Sequence, residues 1–371
     1  MTETEVAILG GGLAGLNAAR LLHRAGVDVW LYEARDRLGG RILTVNAAGE
    51  PDTDGFDLGP SWFWPEMQPA IGALVAELGL PSFAQHGEGD VVFERMSREP
   101  PHRLPGLDQE PRSLRLAGGS AALIRALAAA IPPDRLRTGA RVTALRLRED
   151  GVELSLRLAD GRDETMRAGQ VVAALPPRLL ERTLRFSPDL PPETRGLWRE
   201  TPTWMAPHAK FFALYDRPFW RAAGFSGTAQ SMVGPMPEIH DATTASGQAA
   251  LFGFLGVAAA ERARMGEAAL TKACLAQFAR IFGPEAAGPR ATLWKDWAAD
   301  PLTATEADPL SAGHPTPAET WVQGPWRDRL TLAGSEVSPR EAGYLAGAVE
   351  ASERAVAVVS RRLQDQTGAG A

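Results

Sequence analysis

The first forty residues contain two apolar runs separated by a helix-like stretch. Residues 6–9 are four apolar side chains in succession, which predicts a short buried strand. Glycines follow, and an Ala/Leu-rich stretch over residues 13–25 predicts a helix. Residues 27–32 are again strand-like and lead to Glu33. The order of strand, glycine turn, helix and strand predicts the opening unit of a parallel α/β sheet.

The rest of the chain continues with helical and strand-like patterns. Amphipathic or Ala/Leu-rich stretches predict helices over residues 71–78, 120–131, 261–282 and, from a glycine-rich start, 343–355. Alternating or continuous apolar runs predict strands at 141–147, 152–158, 170–177, 246–256 and 293–297, and strands that lead into a turn or loop at 210–220 and 330–336. Residues 85–111 are polar and contain several prolines, so we expect a loop-rich region there.

The glycines after the first predicted strand have the spacing of a dinucleotide-binding turn. Gly10, Gly12 and Gly15 follow the pattern G-x-G-x-x-G between a strand and a helix. Gly10 allows the tight turn, Gly12 lets the backbone approach a pyrophosphate, and Gly15 lets helix and strand pack closely. The start of the helix, at Leu13 and Ala14, offers backbone N–H groups to phosphate oxygens.

An acidic residue completes this fingerprint. Glu33 ends the second predicted strand and lies 18 residues beyond Gly15, where a carboxylate can bind ribose hydroxyls. The acid makes the glycine turn much more specific for a dinucleotide than the glycines alone. Residues 33–41 then read E-A-R-D-R-L-G-G-R, which adds a second glycine turn and three arginines.

Composition restricts the classes of protein to consider. The chain has 371 residues, of which 44% are hydrophobic, and this is enough for two domains or for one large domain with an insertion. Its net charge of −6 argues against a nucleic-acid surface. Cys274 is the only cysteine, so the chain cannot form an internal disulfide. With no apolar run long enough for a membrane span and no room for a signal peptide before the first strand, we expect a cytoplasmic protein.

Lysine is scarce. Among 39 basic residues, only Lys210, Lys272 and Lys295 are lysine. Lysine can lose its proton when it is buried, which arginine cannot do, so each of the three is a candidate for proton chemistry. Lys210 enters an apolar run and is the strongest of them, although a strand-edge lysine that extends to solvent would give the same pattern.

Several segments together resemble the flavin-containing amine oxidases, the family of monoamine and polyamine oxidases. Their positions span almost the whole chain, from residue 6 to residue 355. The segments are the glycine turn, E-A-x-x-R-x-G-G-R at 33–41, D-G-F-D-L-G-P-S-W at 54–62, the glycine pair at 118–119, Q-V-V-A-A-L-P-P at 170–177, a lysine strand followed by P-F-W at 210–220, A-G-S-E at 333–336 and G-Y-L-A-G-A at 343–348.

The resemblance implies a fold and a division of the chain. The expected class is α/β, with a Rossmann-like FAD-binding domain and a discontinuous, shortened α+β substrate-binding domain. The FAD-binding domain would comprise residues 1–65, 115–200 and 297–371. The substrate-binding domain would comprise residues 66–114 and 201–296.

The resemblance also implies FAD as the cofactor and gives roles to particular residues. In the family the lysine at the position of Lys210 holds a water against flavin N5, and Tyr344 falls on one aromatic wall of the substrate cage. The backbone at Val142 would contact adenine, and Trp62 or Trp64 would wall the pocket. The expected cofactor-binding residues are Gly10, Gly12, Leu13, Ala14, Gly15, Glu33, Ala34, Arg35, Gly39, Gly40, Arg41, Gly59, Pro60, Ser61, Trp62, Val142, Gly334, Glu336, Gly343, Tyr344, Leu345 and Ala348.

The chain departs from the family pattern in three places. The segment between Pro65 and Gly118 is only about 50 residues long, which implies a trimmed substrate domain. Residues 300–309 contain no cysteine, so we expect non-covalent FAD. Residues 301–307 contain no aromatic side chain, although the second aromatic wall of the family's cage belongs in this region. The second wall of the substrate pocket is therefore not identified by the sequence.

The function that follows from the resemblance is oxidation of an amine C–N bond to an imine, with O2 reduced to hydrogen peroxide. The partners would be a small amine substrate and O2, with a homodimer possible and with no metal, nucleic acid or membrane. Two alternatives stay open: an FAD-dependent desaturase or dehydrogenase that acts on a non-amine substrate, and a non-catalytic FAD-binding scaffold. The scattered histidines, among them His208, His240 and His314, are expected at the surface.

Overall fold

The computed structural model describes residues 2–106, 110–310 and 313–368. Its helices are α1 (Leu13–Arg24), α2 (Pro69–Glu77), α3 (Ala121–Ala129), α4 (Pro177–Thr183), α5 (Pro192–Glu200), α6 (Phe219–Ala222), α7 (Ala259–Met265), α8 (Glu267–Phe282) and α9 (Leu345–Gly368). Its strands are β1 (Thr2–Leu9), β2 (Val29–Tyr32), β3 (Thr44–Val45), β4 (Phe56–Asp57), β5 (Ser82–Ala84), β6 (Asp90–Glu94), β7 (His102–Leu104), β8 (Leu114–Leu116), β9 (Leu136–Arg137), β10 (Ala140–Leu147), β11 (Val152–Leu158), β12 (Asp163–Ala173), β13 (Arg185–Ser187), β14 (Ala209–Tyr215), β15 (Phe225–Ser231), β16 (Glu238–Asp241), β17 (Ala249–Phe254), β18 (Ala291–Asp296) and β19 (Leu330–Leu332).

The first sheet places the glycine turn at a shared edge. Its order is β13-β10-β11-β12-β1-β2-β9, and β19 pairs with the C-terminal part of β12. The strands β2, β1, β12 and β19 run parallel, so their carboxyl ends meet at one edge. Gly10, Glu33, Ala174 and Ala333 directly follow these four strands. Ligands bind at this edge in open α/β sheets, and the predicted cofactor residues gather there.

Helices cover the first sheet because each presents an apolar face to it. Leu16 and Leu22 of α1, Leu123 of α3 and Val349 of α9 are buried in one core with Ile8 of β1. The opposite face of the same sheet packs against α4, α5 and the loop that precedes β19. A parallel sheet buried on both faces explains why residues 6–9 and 171–173 are continuously apolar.

The second sheet is mostly antiparallel and has two different faces. Its order is β18-β14-β17-β16-β15-β6-β7, with β6 and β15 parallel. One face packs on α8, where Phe211 meets Phe278. Successive residues of a strand point to opposite faces, so Lys210 and Phe212 lie on the other face, beside Phe254 and Phe252 of the paired strand β17. This second face looks towards the predicted cofactor site.

The sequence predicted many elements correctly, gave none for α4, α5, β15 and β16, and was wrong in two further regions. The opening strand, α1 and the hairpin of β10 and β11 are confirmed. The single helix predicted over residues 261–282 is wrong, because Gly266 adopts φ 78° and divides it into α7 and α8. The region 85–111 contains β6 and β7, which add an edge to the second sheet; its residues 107–109 lie outside the described residues.

The α/β class and the Rossmann-like unit are as expected, whereas the domain boundaries stay a prediction. All strands of the second sheet lie in segments assigned to the substrate-binding domain. They fall between residues 90 and 296. Within the described part of the chain, no helix is both long enough and apolar enough to cross a membrane.

Candidate functional site

A cavity of about 310 Å³ lies between the carboxyl edge of the first sheet and the inner face of the second. Most of the predicted site residues line it, although they come from segments more than 300 positions apart. They are Gly10, Gly12, Leu13, Ala14, Glu33, Arg35, Gly39, Gly40, Arg41, Gly59, Pro60, Ser61, Trp62, Lys210, Gly334, Gly343, Tyr344, Leu345 and Ala348.

The glycine turn is closely packed and leaves the start of α1 open. Gly10 has φ 101°, a conformation that L side chains rarely adopt. A Cβ on Gly15 would lie 1.9 Å from the carbonyl oxygen of Gly10, so this glycine packs helix against turn without itself lining the cavity. No side chain caps the N-terminus of α1, which begins after Gly12. Gly12, Leu13 and Ala14 line the cavity, so this uncapped helix start borders it, and a phosphate is favoured there.

Glu33 is buried, and backbone N–H groups hold its carboxylate. Oε2 accepts a hydrogen bond from the Gly11 N–H at 2.7 Å, and Oε1 accepts one from the Arg35 N–H at 2.8 Å. Its side chain is 5% exposed. The two bonds fix the carboxylate beside the glycine turn while it still lines the cavity, as a ribose-binding acid requires.

A smaller cavity adjoins the first one at Glu33 and Arg35. Arg141 and Leu175 line it, together with the predicted residues Ala34 and Val142. Ala34 and Val142 therefore lie beside the main cavity rather than in it. Arg35 borders both cavities. Its guanidinium donates to Asp300 Oδ1 at 2.8 Å and to Thr303 Oγ1 at 3.0 Å.

Arg41 is paired with a buried acid, which gives it a role that the motif alone does not reveal. Its Nη1 donates to Glu336 Oε1 at 2.6 Å, and its Nη2 donates to Glu336 Oε2 at 3.1 Å. Glu336 is fully buried behind Arg41 and does not line the cavity. Arg41 Nη2 also donates to Ser335 Oγ, and Arg41 Nη1 to the carbonyl oxygen of Trp204. The arginine thus ties the second glycine turn to the loop after β19.

Lys210 is almost fully buried and makes three hydrogen bonds. Its Nζ donates to the carbonyl oxygen of Gly59 at 2.6 Å, to Ser61 Oγ at 2.9 Å and to the carbonyl oxygen of Asp57 at 3.2 Å. No carboxylate of the described residues forms an ion pair with it. Burial therefore lowers the pKa of Lys210 to about 7. Near neutral pH, this amine exists in both protonation states.

The segment that accepts the hydrogen bonds of Lys210, residues 57–61, runs along the cavity wall. A Cβ on Gly59 would lie 1.9 Å from the carbonyl oxygen of Arg41, so only glycine fits there. The indole of Trp62 donates to Gln85 Oε1 at 2.8 Å and packs on Phe252 and Phe254. Trp62 and Trp64 both line the cavity, as proposed from the sequence.

Tyr344 lies in the turn before α9 and belongs to a cluster of three rings. Its ring stacks on His314 at a centroid distance of 4.7 Å, and its hydroxyl lies 3.1 Å from His314 Nε2. His314 stacks in turn on Trp204 at 3.5 Å. Burial, and to a smaller extent Glu341, raises the pKa of Tyr344. The imidazole of His314 is exposed, as predicted, yet it contacts a predicted site residue.

Sequence reasoning missed several residues of the cavity wall. They are Gln68, Trp204, Met205, His208, Phe254, Trp297, Leu302 and Thr303. Met205 has φ 62° and is the only non-glycine residue with positive φ among the described residues. The one available signal was the Trp204-Met205 pair shortly before the lysine strand, but no periodicity distinguishes it.

These residues fit a flavin dinucleotide. The glycine turn leaves no room for side chains where a pyrophosphate would approach, and Glu33 presents a fixed carboxylate next to it. Beyond them the cavity continues between the start of α9 and the face that carries Lys210. N–H groups at the start of a helix stabilise negative charge, which a reduced flavin ring carries.

Comparison with known proteins agrees with this geometry. A protein named as a flavin-containing monoamine oxidase from Mycobacterium tuberculosis is 28% identical, with 97% of each chain covered. The solved structure of a putrescine oxidase triple mutant superposes with a TM-score of 0.81 at 22% identity and covers 97% of this chain and 99% of that one. Cyclohexylamine oxidase from Brevibacterium oxydans superposes with a TM-score of 0.79 at 21% identity, with 97% and 99% covered.

The match to a family covers nearly the whole chain. The sequence model described as flavin containing amine oxidoreductase matches residues 13–114 and 101–360. These two segments include the glycine turn from Leu13 onward, Lys210 and the start of α9. The chain therefore belongs to the flavin-containing amine oxidoreductase family and is a flavin-dependent, amine oxidase-like enzyme.

Proposed function

We propose that this enzyme oxidises a small amine to an imine, which water hydrolyses, and that it uses non-covalent FAD and O2 with release of hydrogen peroxide. The observation that carries the proposal is the position of Lys210, a buried amine with a pKa of about 7 on the wall of the cofactor cavity. Relatives named putrescine oxidase and polyamine oxidase, each matching about a quarter of the chain, support the amine as substrate.

The cofactor would be held by the glycine turn, Glu33, the second glycine turn with Arg41, and the start of α9. When FAD is bound, it supplies the acceptor for a hydride equivalent from the carbon next to the amine nitrogen. Non-covalent binding is supported by the chain's cysteine content. Cys274 is the only cysteine and is buried in the core beneath the second sheet, where burial raises the pKa of its thiol to about 12.

We propose that Lys210 takes up and returns a proton during the reaction. Its neutral form has a lone pair that can take a proton, and its charged form can return that proton. Ser61 is the hydroxyl partner that suits both forms, because a hydroxyl can accept from an ammonium and donate to a neutral amine. Asp57 and Gly59 supply only carbonyl oxygens, which fix the position of the nitrogen.

The substrate portion of the cavity would exclude water from the reacting carbon. Its walls combine the rings of Trp62, Phe254 and Tyr344 with the apolar side chain of Leu58. An amine that enters unprotonated needs no acidic partner there, and aromatic faces also accept a cation. We also propose that the chain is divided into an FAD-binding domain and a substrate-binding domain.

The proposal is tested by supplying the FAD-loaded enzyme with primary amines, secondary amines, diamines and amino acids in air. Peroxide and a carbonyl product, an aldehyde from a primary amine of the R–CH2–NH2 type or a 2-oxo acid from an amino acid, should form in equal amounts with at least one amine class. Lys210→Met should lower this rate, while Lys272→Met, a lysine on α8 outside the cavity, should leave it unchanged. If neither peroxide nor a carbonyl product forms with any amine, the proposal fails and the desaturase and scaffold alternatives gain.

A further inference from the structure

Trp204 is an aromatic residue of the cavity wall that the sequence did not identify. Its ring centroid lies 6.2 Å from that of Tyr344, with an angle of 50° between the planes. Both residues line the cavity. The segment 301–307 contributes only Leu302 and Thr303 to the lining, neither of them aromatic. The indole thus comes from a different element, the loop between α5 and β14.

The backbone around Trp204 is held from several sides. Met205, the next residue, adopts the left-handed conformation with φ 62°, which costs a non-glycine residue free energy. The Trp204 carbonyl oxygen accepts a hydrogen bond from Arg41 Nη1 at 3.1 Å. A Cβ on Gly343 would lie 2.5 Å from the Cβ of Trp204, so the turn before α9 admits the indole only because it carries glycine there.

His314 packs on both rings and closes the cluster from the outside. It stacks on Trp204 at 3.5 Å and on Tyr344 at 4.7 Å. Its Nδ1 lies 3.0 Å from the carbonyl oxygen of Ala342, which favours the tautomer that donates from Nδ1. Nε2 then accepts a hydrogen bond from the Tyr344 hydroxyl. The imidazole is thereby oriented to hold the two rings together.

We propose that Trp204 extends the aromatic wall that Tyr344 begins, is held against Tyr344 by His314, and selects amines whose reacting carbon is unbranched. This inference rests on the proposed function, since it names the substrate class of the same site. Trp204 acts as a specificity-determining residue that contacts the substrate. His314 acts through the two rings as a positioning residue.

The distance between the two rings carries the argument on selectivity. A carbon atom placed between two aromatic faces needs a contact of about 3.5–4 Å to each of them, so the centroids must be roughly 7–8 Å apart. Trp204 and Tyr344 are closer than that, at 6.2 Å. A substrate therefore lies against the cluster on one side only. On this proposal a linear alkyl chain passes along the wall, whereas a ring or branch at the reacting carbon meets the indole.

The test compares n-hexylamine with cyclohexylamine, which have equal carbon counts but differ in branching at the carbon next to nitrogen. For each, kcat/KM and the dissociation constant, read from the perturbed flavin absorbance, are measured on the FAD-loaded enzyme. Trp204→Ala should raise the ratio of cyclohexylamine to hexylamine at least tenfold. Trp204→Phe should stay near the wild-type ratio. His314→Ala should raise the ratio in the same direction by a smaller factor.

The control is Trp294→Ala, which removes an indole from the face of the second sheet that packs on Phe211 and α8. It should leave the ratio unchanged. The inference is overturned if Trp204→Ala, with wild-type flavin content, keeps the ratio within twofold in both measurements, or if neither amine binds to any variant. If both amines bind with the expected shift in ratio but none reduces the flavin, the pocket assignment holds and the proposed function fails.

Discussion

Arg41 and Glu336 form a bidentate ion pair between segments 295 positions apart in the chain. The arginine lines the cofactor cavity, whereas the glutamate is fully buried behind it. A buried carboxylate is tolerated only when it is paired and hydrogen-bonded. The pair therefore fixes the position of the second glycine turn relative to the loop that leads to α9, and both parts border the cavity.

Removal of Arg41 should destabilise the protein strongly. In Arg41→Ala the Glu336 carboxylate is left buried without its cation, at a cost on the order of 3 kcal/mol in the free energy of unfolding. Adding Glu336→Gln to that variant should recover part of the loss. Urea unfolding, followed by circular dichroism with equal excess FAD, measures both effects. An unchanged midpoint in Arg41→Ala would show that the pair does not stabilise the fold.

Gly15→Ala should abolish FAD binding, because the new Cβ would lie 1.9 Å from the carbonyl oxygen of Gly10 and must displace the turn. The matched control is Gly196→Ala in α5, where nothing lies within 4 Å. Alanine there should keep FAD binding and stabilise the helix by up to about 1 kcal/mol. Flavin content after purification and the melting temperature report the two results. Normal flavin content in Gly15→Ala would contradict the proposed role of the turn.

Glu33→Gln should weaken FAD binding at least tenfold. The amide keeps one acceptor for the N–H of Gly11 or Arg35 but loses the charge that binds ribose hydroxyls strongly. Glu5→Gln is a suitable control, since Glu5 also accepts a backbone N–H, from Asp28, but lies outside the cavity. Titration of apoprotein with FAD gives both affinities. Equal affinities in the two variants would argue against a cofactor contact for Glu33.

Lys210 should make stability rise with pH above neutrality. Its pKa is about 7 in the folded protein and 10.5 when unperturbed, so between these values the unfolded chain binds more protons. Stability from this group then rises with pH by up to about 1.4 kcal/mol per unit, and it does not change further below pH 7. Lys210→Met should remove this rise. Urea unfolding at pH 7.5 and 9.5 gives the free energy of unfolding of the wild type and of the variant. An equal rise with pH in both proteins would contradict the lowered pKa.

Reoxidation of the reduced flavin should depend on Lys210 more than its reduction does. In Lys210→Met, reoxidation by O2 should fall on the order of 10²-fold, the usual contribution of a positioned proton donor. Reduction by substrate should change only a few-fold. Stopped-flow spectroscopy separates the two half-reactions. The wild-type reoxidation rate should also show an inflection near pH 7 that the variant lacks, and a retained inflection would assign it to another group.

Local sequence patterns were sufficient for the parts of the site that depend on the backbone. The turn at Gly10 and the start of α1 follow from glycine spacing within one strand-helix unit. Lys210 was identified because it is one of three lysines and enters an apolar strand. The glycine spacing is contained within about ten consecutive residues, whereas the scarcity of lysine is a property of the whole chain. The domain boundaries and residue roles drawn from the family resemblance remain predictions.

Features that arise from tertiary packing were not predictable in this way. Trp204 reaches the cavity because Met205 and Gly343 adopt backbone conformations that no periodicity reveals. His314 joins the site through stacking on rings from two other segments. The break at Gly266 was missed because a single glycine inside an Ala-rich helical pattern is usually tolerated.

The central claim is that the bound flavin takes electrons from an amine. The most direct measurement is an anaerobic titration of the FAD-loaded enzyme with amines while the absorbance of oxidised flavin is recorded. We expect one amine class to bleach this absorbance stoichiometrically and admitted air to restore it with one peroxide per flavin. A flavin band that no amine bleaches would contradict amine oxidation.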